Sequence, residues 1–418
     1  MTRRVVVTGI GVISAFGPAT EMFSRGLARG IRAIRPLTLV PEGALKFANG
    51  AEVADFRACE HFDEKEASLL DRFAQFALVA ARQAVAGSAI GFTRELGERT
   101  AIVTGTSAAG QSSEDEQFRN LYARNETRIH PLTIPRIMAN AAASRISLEY
   151  GITGPVYTVS TACSSSNHAI GQAFWMVRNG VAEVAIAGGS EAPFSLGFLK
   201  AWEAMRVVSP DTCRPFSRGR RGLILGEGAA MLVIEPLERA QARGARIWGE
   251  IAGFGMSSDA HHITQPSPLG AARAMGAALA DAGAEPGAIG YVNAHGTGTL
   301  ANDAAEVEAI RSVFGSHADK LMVSSTKSMH GHALGAAGAL EAVATLFALH
   351  EGLIPPTANF TEPDPACDLD VVPNTARAAR VEWALSNSFA FGGLNAVLVF
   401  RNLNAADAVS SRTDEDVG

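Results

Sequence analysis

Cysteine is scarce and scattered: Cys59, Cys163, Cys213 and Cys367 are the four in 418 residues, and no two stand in a CxxC pair. That spacing argues against a disulfide framework or a zinc site and suits a reduced, cytoplasmic protein with at least one free thiol. Long apolar runs are missing as well, since no stretch approaches the roughly 20 residues of a helical membrane span. The start, MTRRVVVTGIGVISAFG, sets basic residues before an apolar run, but glycines interrupt it and no small-residue cleavage site follows. It reads as a first strand and turn. Positive charge is also short: 36 Lys and Arg against 42 Asp and Glu give a net charge of −6. With no long basic block, the chain does not read as a nucleic-acid binder.

Glycine and aliphatic residues are plentiful instead, at 42 glycines and 47% hydrophobic residues, as in a folded protein with many tight turns. The length predicts two domains or one large duplicated domain. Short β-branched runs (RVVVTG, TAIVTG, EVAIAGG, AMLVIEP, GYVNAHG, LMVSST, AVLVF) alternate with alanine-rich stretches such as RFAQFALVAARQAVAGS. That alternation predicts an α/β architecture whose buried sheets carry helices on both faces. VSTACSSSNHAIGQAFWMVRNG (159–180) and VSSTKSMHGHALGAAGALEAVATLFALHEG (323–352) share a strand, a polar turn, a His-Ala-aliphatic-Gly step and an amphipathic helix. Ile170, Phe174 and Val177 in the first, and Leu340, Val343 and Phe347 in the second, recur at helical spacing. The chain therefore reads as duplicated, with halves at 1–245 and 246–403 and a disordered tail at 404–418.

The cysteine of VYTVSTACSSSNHAIGQAF stands where a β-branched run gives way to a helical pattern. With a strand ending near Thr161 and a helix beginning near Ser164, Cys163 sits at a helix N-terminus, where free N–H groups and the macrodipole favour an anion. That position predicts a lowered pKa and a nucleophilic thiolate; the alternative is a buried structural cysteine. Three further places share its context. YVNAHGTGTLAND (291–303) ends an apolar strand on His295, KSMHGH (327–332) sets Lys327, His330 and His332 in a second strand-to-helix turn, and NSFAFGG (387–393) is a polar-aromatic-glycine loop. Open α/β sheets place their sites at such strand ends.

These motifs resemble the β-ketoacyl-[acyl carrier protein] synthases of the elongating, type II class, from RRVVVTGIGVIS to about NAVLVF. NAHGTGTLAND, SSTKSMHGH, EGLIPPTAN and EPDPACDLDVVPN look nearest to the family's nodulation protein E branch. The resemblance implies a thiolase-like fold, with duplicated βα halves forming a five-layered αβαβα body. It implies a homodimer, with a heterodimer of related subunits left open. The implied reaction is a decarboxylative Claisen condensation of an acyl-cysteine enzyme with malonyl-[acyl carrier protein], without cofactor or metal. The implied partners are acyl carrier protein and its acyl and malonyl thioesters.

By the same resemblance Cys163 is the nucleophile, its N–H and that of Phe391 form the oxyanion hole, and His295 and His332 act as neutral donors to the enolate. Lys327 pairs with Glu341 beside them; an ordinary structural ion pair is the alternative. Thr297, Thr299 and Thr264 contact the pantetheine arm, Phe389 lines the substrate site, and Phe391 is a gate. Ala108 and Thr133 stand where larger side chains often limit the acyl pocket, which predicts room for a long or bulky chain. Ala390 replaces a more usual glycine and is expected to stiffen the gate. His330 either tunes His332 or faces solvent, with solvent favoured. Lys65 and Arg72 are the basic residues of KEASLLDRF, a segment that relatives turn toward an acidic carrier. A thiolase would carry a second catalytic cysteine in a glycine-framed turn, unlike Cys367, and a chain-initiating synthase an asparagine in place of His332. A non-catalytic chain-length subunit usually lacks the cysteine. TGIGVISAFG lacks the glycine order of a dinucleotide site.

Overall fold

The strand-forming runs assemble into two five-strand arrays in a computed structural model of the chain, which describes residues 2–403. The first array comprises β1 (Val5–Ile13), β2 (Thr100–Gly105), β3 (Val156–Val159), β4 (Val184–Glu191) and β5 (Gly228–Pro236). The second comprises β6 (Gly249–Ser258), β7 (Ile289–Asn293), β8 (Met322–Ser324), β9 (Trp383–Ala390) and β10 (Leu394–Arg401). Their spatial orders are β3-β2-β4-β5-β1 and β8-β7-β9-β10-β6, so each array places its own third, second, fourth, fifth and first strands side by side. The pairings match too. The third, second and fourth strands of each array run parallel, and the fifth lies antiparallel to the fourth and first. A short antiparallel ladder from Val5↔Ile251 to Val7↔Gly249 joins β1 to β6.

The layers follow from burial. Every residue of β1, β2, β4 and β5 is buried, so both faces of the first array need cover. Helix α1 (Arg72–Ser88), capped by Asp71 whose carboxylate accepts from Phe73 N–H at 3.1 Å, packs on the outer face over β1, β4 and β5. Helices α2 (Ser165–Arg178), α3 (Leu196–Met205), α4 (Pro268–Ala282), α5 (Leu300–Phe314) and α6 (Ala337–Glu351) follow in chain order. Helices α2 and α6 touch each other and strands of both arrays, which makes them the central layer. Accordingly α6 is buried on every side from Ala337 to Leu349. Helix α4 covers β6 and β10 from outside and α5 packs on α4, completing an αβαβα stack. The repeated segments of the sequence occupy equivalent places: each runs from the third strand of its array through a central-layer helix toward the fourth strand. The chain passes between arrays from Pro236 to Gly249. The tail expected at 404–418 lies outside the described residues.

Candidate active site

The thiol is held by a tight elbow between β3 and α2. The first helical residue is Ser165 and Ser164 is its N-cap, so Cys163 stands just ahead of the helix. Ala162 adopts φ 52°, a left-handed conformation costly for a residue with a Cβ, and the hydroxyls around it hold it there. Ser165 Oγ donates to Ala162 O at 2.6 Å and accepts from Thr161 N–H at 2.9 Å, while Ser164 Oγ donates to Thr161 O at 2.9 Å. The elbow also needs Gly105 at the end of β2, since a Cβ there would lie 2.5 Å from Ser165 C and Ser166 N.

The equivalent turn of the second array delivers the histidine. His332 Nε2 lies 3.2 Å from Cys163 Sγ, fixed by backbone bonds on either side: His332 N–H donates to Ile224 O at 2.7 Å, and His332 O accepts from Gly226 N–H at 2.9 Å. His295 comes from the end of β7, its ring 5.4 Å from that of His332 and nearly perpendicular to it. Sγ and one nitrogen of each ring lie within 4.8 Å of one another. Lys327 Nζ donates to His295 O at 2.6 Å, stands 3.3 Å from His295 Nδ1 and forms a fully buried ion pair with Glu341. An ammonium only donates, so Nδ1 of His295 accepts and its proton sits on Nε2.

Burial sets the protonation states. Both imidazoles are held well below their ordinary 6.5, by desolvation first and the Lys327 charge second, so both are neutral. The thiol goes the other way. Burial pushes Cys163 up to about 11, although Lys327 and the N–H of Phe391, which donates to the sulfur, pull against it. The lowered pKa expected from the helix N-terminus is therefore corrected: Cys163 is 7% exposed, and desolvation of the thiolate outweighs the favourable field. A raised thiol beside a lowered imidazole makes the neutral S–H and imidazole pair the resting state.

Cys163, His295, His332, Thr297, Thr299, Thr264, Phe389 and Phe391 line one cavity of about 110 Å3. Lys327 and Glu341 stand behind the histidines. Thr297 and Thr299 share a hydroxyl bond of 2.9 Å, and Thr299 caps α5; Thr264 is an exposed rim residue. Ala108 and Thr133 do not line this cavity. Ala108 N–H donates to Glu191 Oε1 at 3.0 Å and Thr133 Oγ1 donates to His130 O at 2.6 Å.

Three other expectations are revised. His330 does not face solvent: it is 1% exposed, bonds Thr326 Oγ1 at 3.0 Å and packs against Phe16 and Phe23, and burial lowers it to about 3. Arg72 is not displayed to a partner but grips the buried Glu227 at 2.7 and 2.9 Å; Lys65 is exposed. Ala390 pairs with Leu394 as the last residue of β9 with an ordinary negative φ, so the alanine adds no strain to this conformation.

The sequence reading missed the carboxylates that brace the turns. Glu306 accepts from the N–H groups of His295 and Gly296 at 2.8 and 2.7 Å and from Asn387 Nδ2 at 3.1 Å. Asp303, one turn earlier on α5, accepts from Gly298 N–H at 3.1 Å and Phe216 N–H at 2.8 Å. Glu191, at the end of β4, accepts from the N–H groups of Ser107, Ala108 and Gly335 at 2.8 to 3.0 Å. The available signal was the i, i+3 spacing of Asp303 and Glu306 just after a glycine turn.

A cysteine elbow and two neutral histidines, supplied by the two halves of a duplicated αβαβα body, define a ketosynthase-type condensing enzyme. The chain belongs to the β-ketoacyl synthase family: residues 2–240 match its N-terminal domain and residues 248–361 its C-terminal domain. It is 47% identical to nodulation protein E of Rhizobium sp. (strain N33) over 404 residues, covering 96% of this chain and 100% of that one. It is 40% identical to 3-oxoacyl-[acyl-carrier-protein] synthase 2 of Staphylococcus aureus (strain COL) over 410 residues, covering 96% and 99%. Among solved structures, the ishigamide ketosynthase/chain length factor superposes with a TM-score of 0.91 at 39% identity, covering 96% and 100%. A type II polyketide ketosynthase in complex with its acyl-carrier protein gives 0.88 at 31% identity, with the same coverage.

Proposed function

We propose that this chain is a 3-oxoacyl-[acyl carrier protein] synthase that extends a fatty acyl or polyketide-like chain by two carbons. The observation that carries it is the convergence of Cys163, His295 and His332 on one cavity. In the loading step Sγ bonds to the acyl carbonyl carbon and the bond to the carrier's pantetheine sulfur breaks. His332, 3.2 Å from Sγ, takes the thiol proton and returns one to the leaving sulfur. The N–H groups of Cys163 and Phe391 receive the oxyanion, a donor of this kind being worth about 2.7–4 kcal/mol. Malonyl carrier then binds along Thr297, Thr299 and Thr264 and loses carbon dioxide. The electrons of the broken C–C bond move to the thioester oxygen, where neutral His295 and His332 donate. The enolate carbon attacks the acyl carbonyl, the C–Sγ bond breaks, and the departing Cys163 thiolate takes a proton from water.

The division of labour follows the duplication: residues 1–245 supply the nucleophile, residues 246–403 the histidines and gate. Acyl carrier protein is the partner, in keeping with the carrier complex of the polyketide relative. Pairing of two chains is supported by the open edge of β3 and by exposed apolar residues nearby in sequence, Tyr122 (74%) and Ile134 (65%) among them. A heterodimer with a related subunit is the second reading, favoured by the likeness to a ketosynthase/chain length factor. Four free cysteines suit a reduced cytoplasm, and no helix among the described residues is long and apolar enough to cross a membrane.

The test is an intact-mass assay of wild type and Cys163→Ala with a panel of acyl-carrier proteins, then malonyl carrier. Wild type gains the acyl mass, loses it when malonyl carrier is added and yields a 3-oxoacyl carrier. Equal loading of the alanine variant, or no loading from any carrier, refutes the reading.

A further inference from the structure

The residue expected to gate the site is parked against an aromatic partner that neither sequence motif nor mechanism uses. Phe391, Gly392 and Gly393 form the three-residue turn of the β9–β10 hairpin. The two glycines take φ 83° and 71°, the left-handed region in which a hinge needs glycine. On one side the turn is tied to the loop after β6: Gly392 N–H donates to Ile263 O at 2.8 Å and Gly393 O accepts from Asp259 N–H at 2.9 Å. On the other side the Phe391 ring stacks on Trp202 of α3, centroids 6.1 Å apart and planes 23° apart. Trp202 itself is 8% exposed and belongs to an apolar cluster with Leu199, Phe194, Leu223 and Leu334, against which Phe391 packs. In this position the Phe391 N–H bears on the Cys163 sulfur, and Cys163 is 7% exposed. The donor needed for an acyl oxyanion is thus engaged, and the thiol is covered.

We propose that Trp202 is a latch: by stacking on Phe391 it holds the gate shut and sets how often Cys163 is open to an acyl donor. The assignment deepens the condensing-enzyme reading and rests on it for its purpose. Its test does not, because gate opening is measured on the unloaded protein. Trp202 also lines the cavity of Cys163, and the Phe391→Ala background isolates its action through Phe391, as a positioning residue. An offset aromatic pair of this kind shifts an equilibrium by roughly 2- to 12-fold beyond the area it buries.

The experiment is iodoacetamide labelling at fixed pH, resolved by peptide mass, with the exposed Cys59 as internal reference for reagent and pH. Trp202→Ala should raise the Cys163 to Cys59 labelling ratio by roughly 2- to 12-fold. Trp202→Leu keeps apolar bulk in the cluster, should rise likewise, and stands in for the alanine variant if that one does not fold. Trp202→Phe keeps a ring and should stay within about twofold of wild type. Phe391→Ala should raise the ratio by itself, and adding Trp202→Leu to it should change nothing further. An unchanged ratio in Trp202→Leu, or an equal rise with and without Phe391, overturns the latch. Failure of the condensing reading shows elsewhere, as absence of acyl loading on Cys163.

Discussion

The resting protonation of the Cys163 and His332 pair decides how the first step runs, and a pH titration of the thiol tests it. With the thiol at about 11, the thiolate fraction at pH 7 is about one in ten thousand, because 11 exceeds 7 by four decades. Each unit of pH then raises the alkylation rate tenfold, and between pH 6.5 and 9.5 the peptide-resolved rate for Cys163 should climb about a thousandfold without a plateau. The imidazole works in the same direction: being held well below 6.5, His332 stays neutral throughout that window and offers no second inflection. Removing the buried cation sharpens the test. Lys327 lowers both Cys163 and the histidines, so its loss raises all three; Glu341→Gln is added so that no carboxylate is left buried and unpaired. The Lys327→Met, Glu341→Gln protein should alkylate more slowly at every pH, and its condensation activity should fall off at a higher pH on the acid side. A labelling rate in wild type that levels off above pH 7 to 8 would mean a resting thiolate and imidazolium pair, and would refute the dominance of burial over the helix field.

Glu306→Gln disturbs His295 without touching the nucleophile, so condensation should drop by about a hundredfold while acyl loading of Cys163 stays near wild type in a chase-quench mass assay. Equal loss of both steps would contradict the separate duties of the two histidines. Arg72→Met leaves Glu227, whose side chain is 0% exposed, without its partner; a loss of about 3–5 kcal/mol and a lower thermal midpoint are expected. Its apparent KM for carrier protein should not move, whereas a raised KM with unchanged stability would restore Arg72 to the docking face. Gly105→Ala forces a Cβ to within 2.5 Å of the Ser165 and Ser166 backbone, so the elbow must shift and acyl loading should fall by about a hundredfold. Normal loading by that variant would show that the elbow tolerates displacement.

What could be read from the chain was whatever shows itself locally. Strands such as β1 and β5 are rich in apolar and β-branched residues, and Cys163, His295 and His332 stand in turns whose composition is itself a signal. Strand β9, WALSNSFA, escaped notice because Ser386, Asn387 and Ser388 are buried polar residues that no hydrophobic pattern marks. Strand β6, GEIAGFGMSS, was hidden by glycines whose use is long-range: a Cβ at Gly255 would lie 2.2 Å from Ala278 N of α4. The thiol's raised pKa was equally beyond local reasoning. A helix N-terminus is visible in sequence, but the covering of the sulfur comes from residues near 330 and 390. Arg72 and His330 fail for the same reason, since a charged residue in a polar segment gives no sign of the buried carboxylate or aromatic cluster that receives it.

The two halves share one strand order and then differ where the chemistry requires it. The turn after the third strand carries the thiol in one half and Lys327 and His332 in the other, so the duplication alone brings nucleophile and histidine to the central layer from opposite arrays. The step from fourth to fifth strand is where the halves part. In the second half it is the three-residue turn Phe391 to Gly393; in the first it spans residues 192–227 and holds α3, Arg220, which pairs with Asp303 of α5, and the strand-like segment that fixes His332. Trp202 from the long connection rests on Phe391 from the short one. A symmetric pair of short hairpins would leave Phe391 unopposed, with its N–H free and the thiol open to water. The asymmetry of this one connection supplies the latch, and trimming α3 while keeping residues 222–227, whose backbone holds His332, should yield a protein that alkylates readily at Cys163.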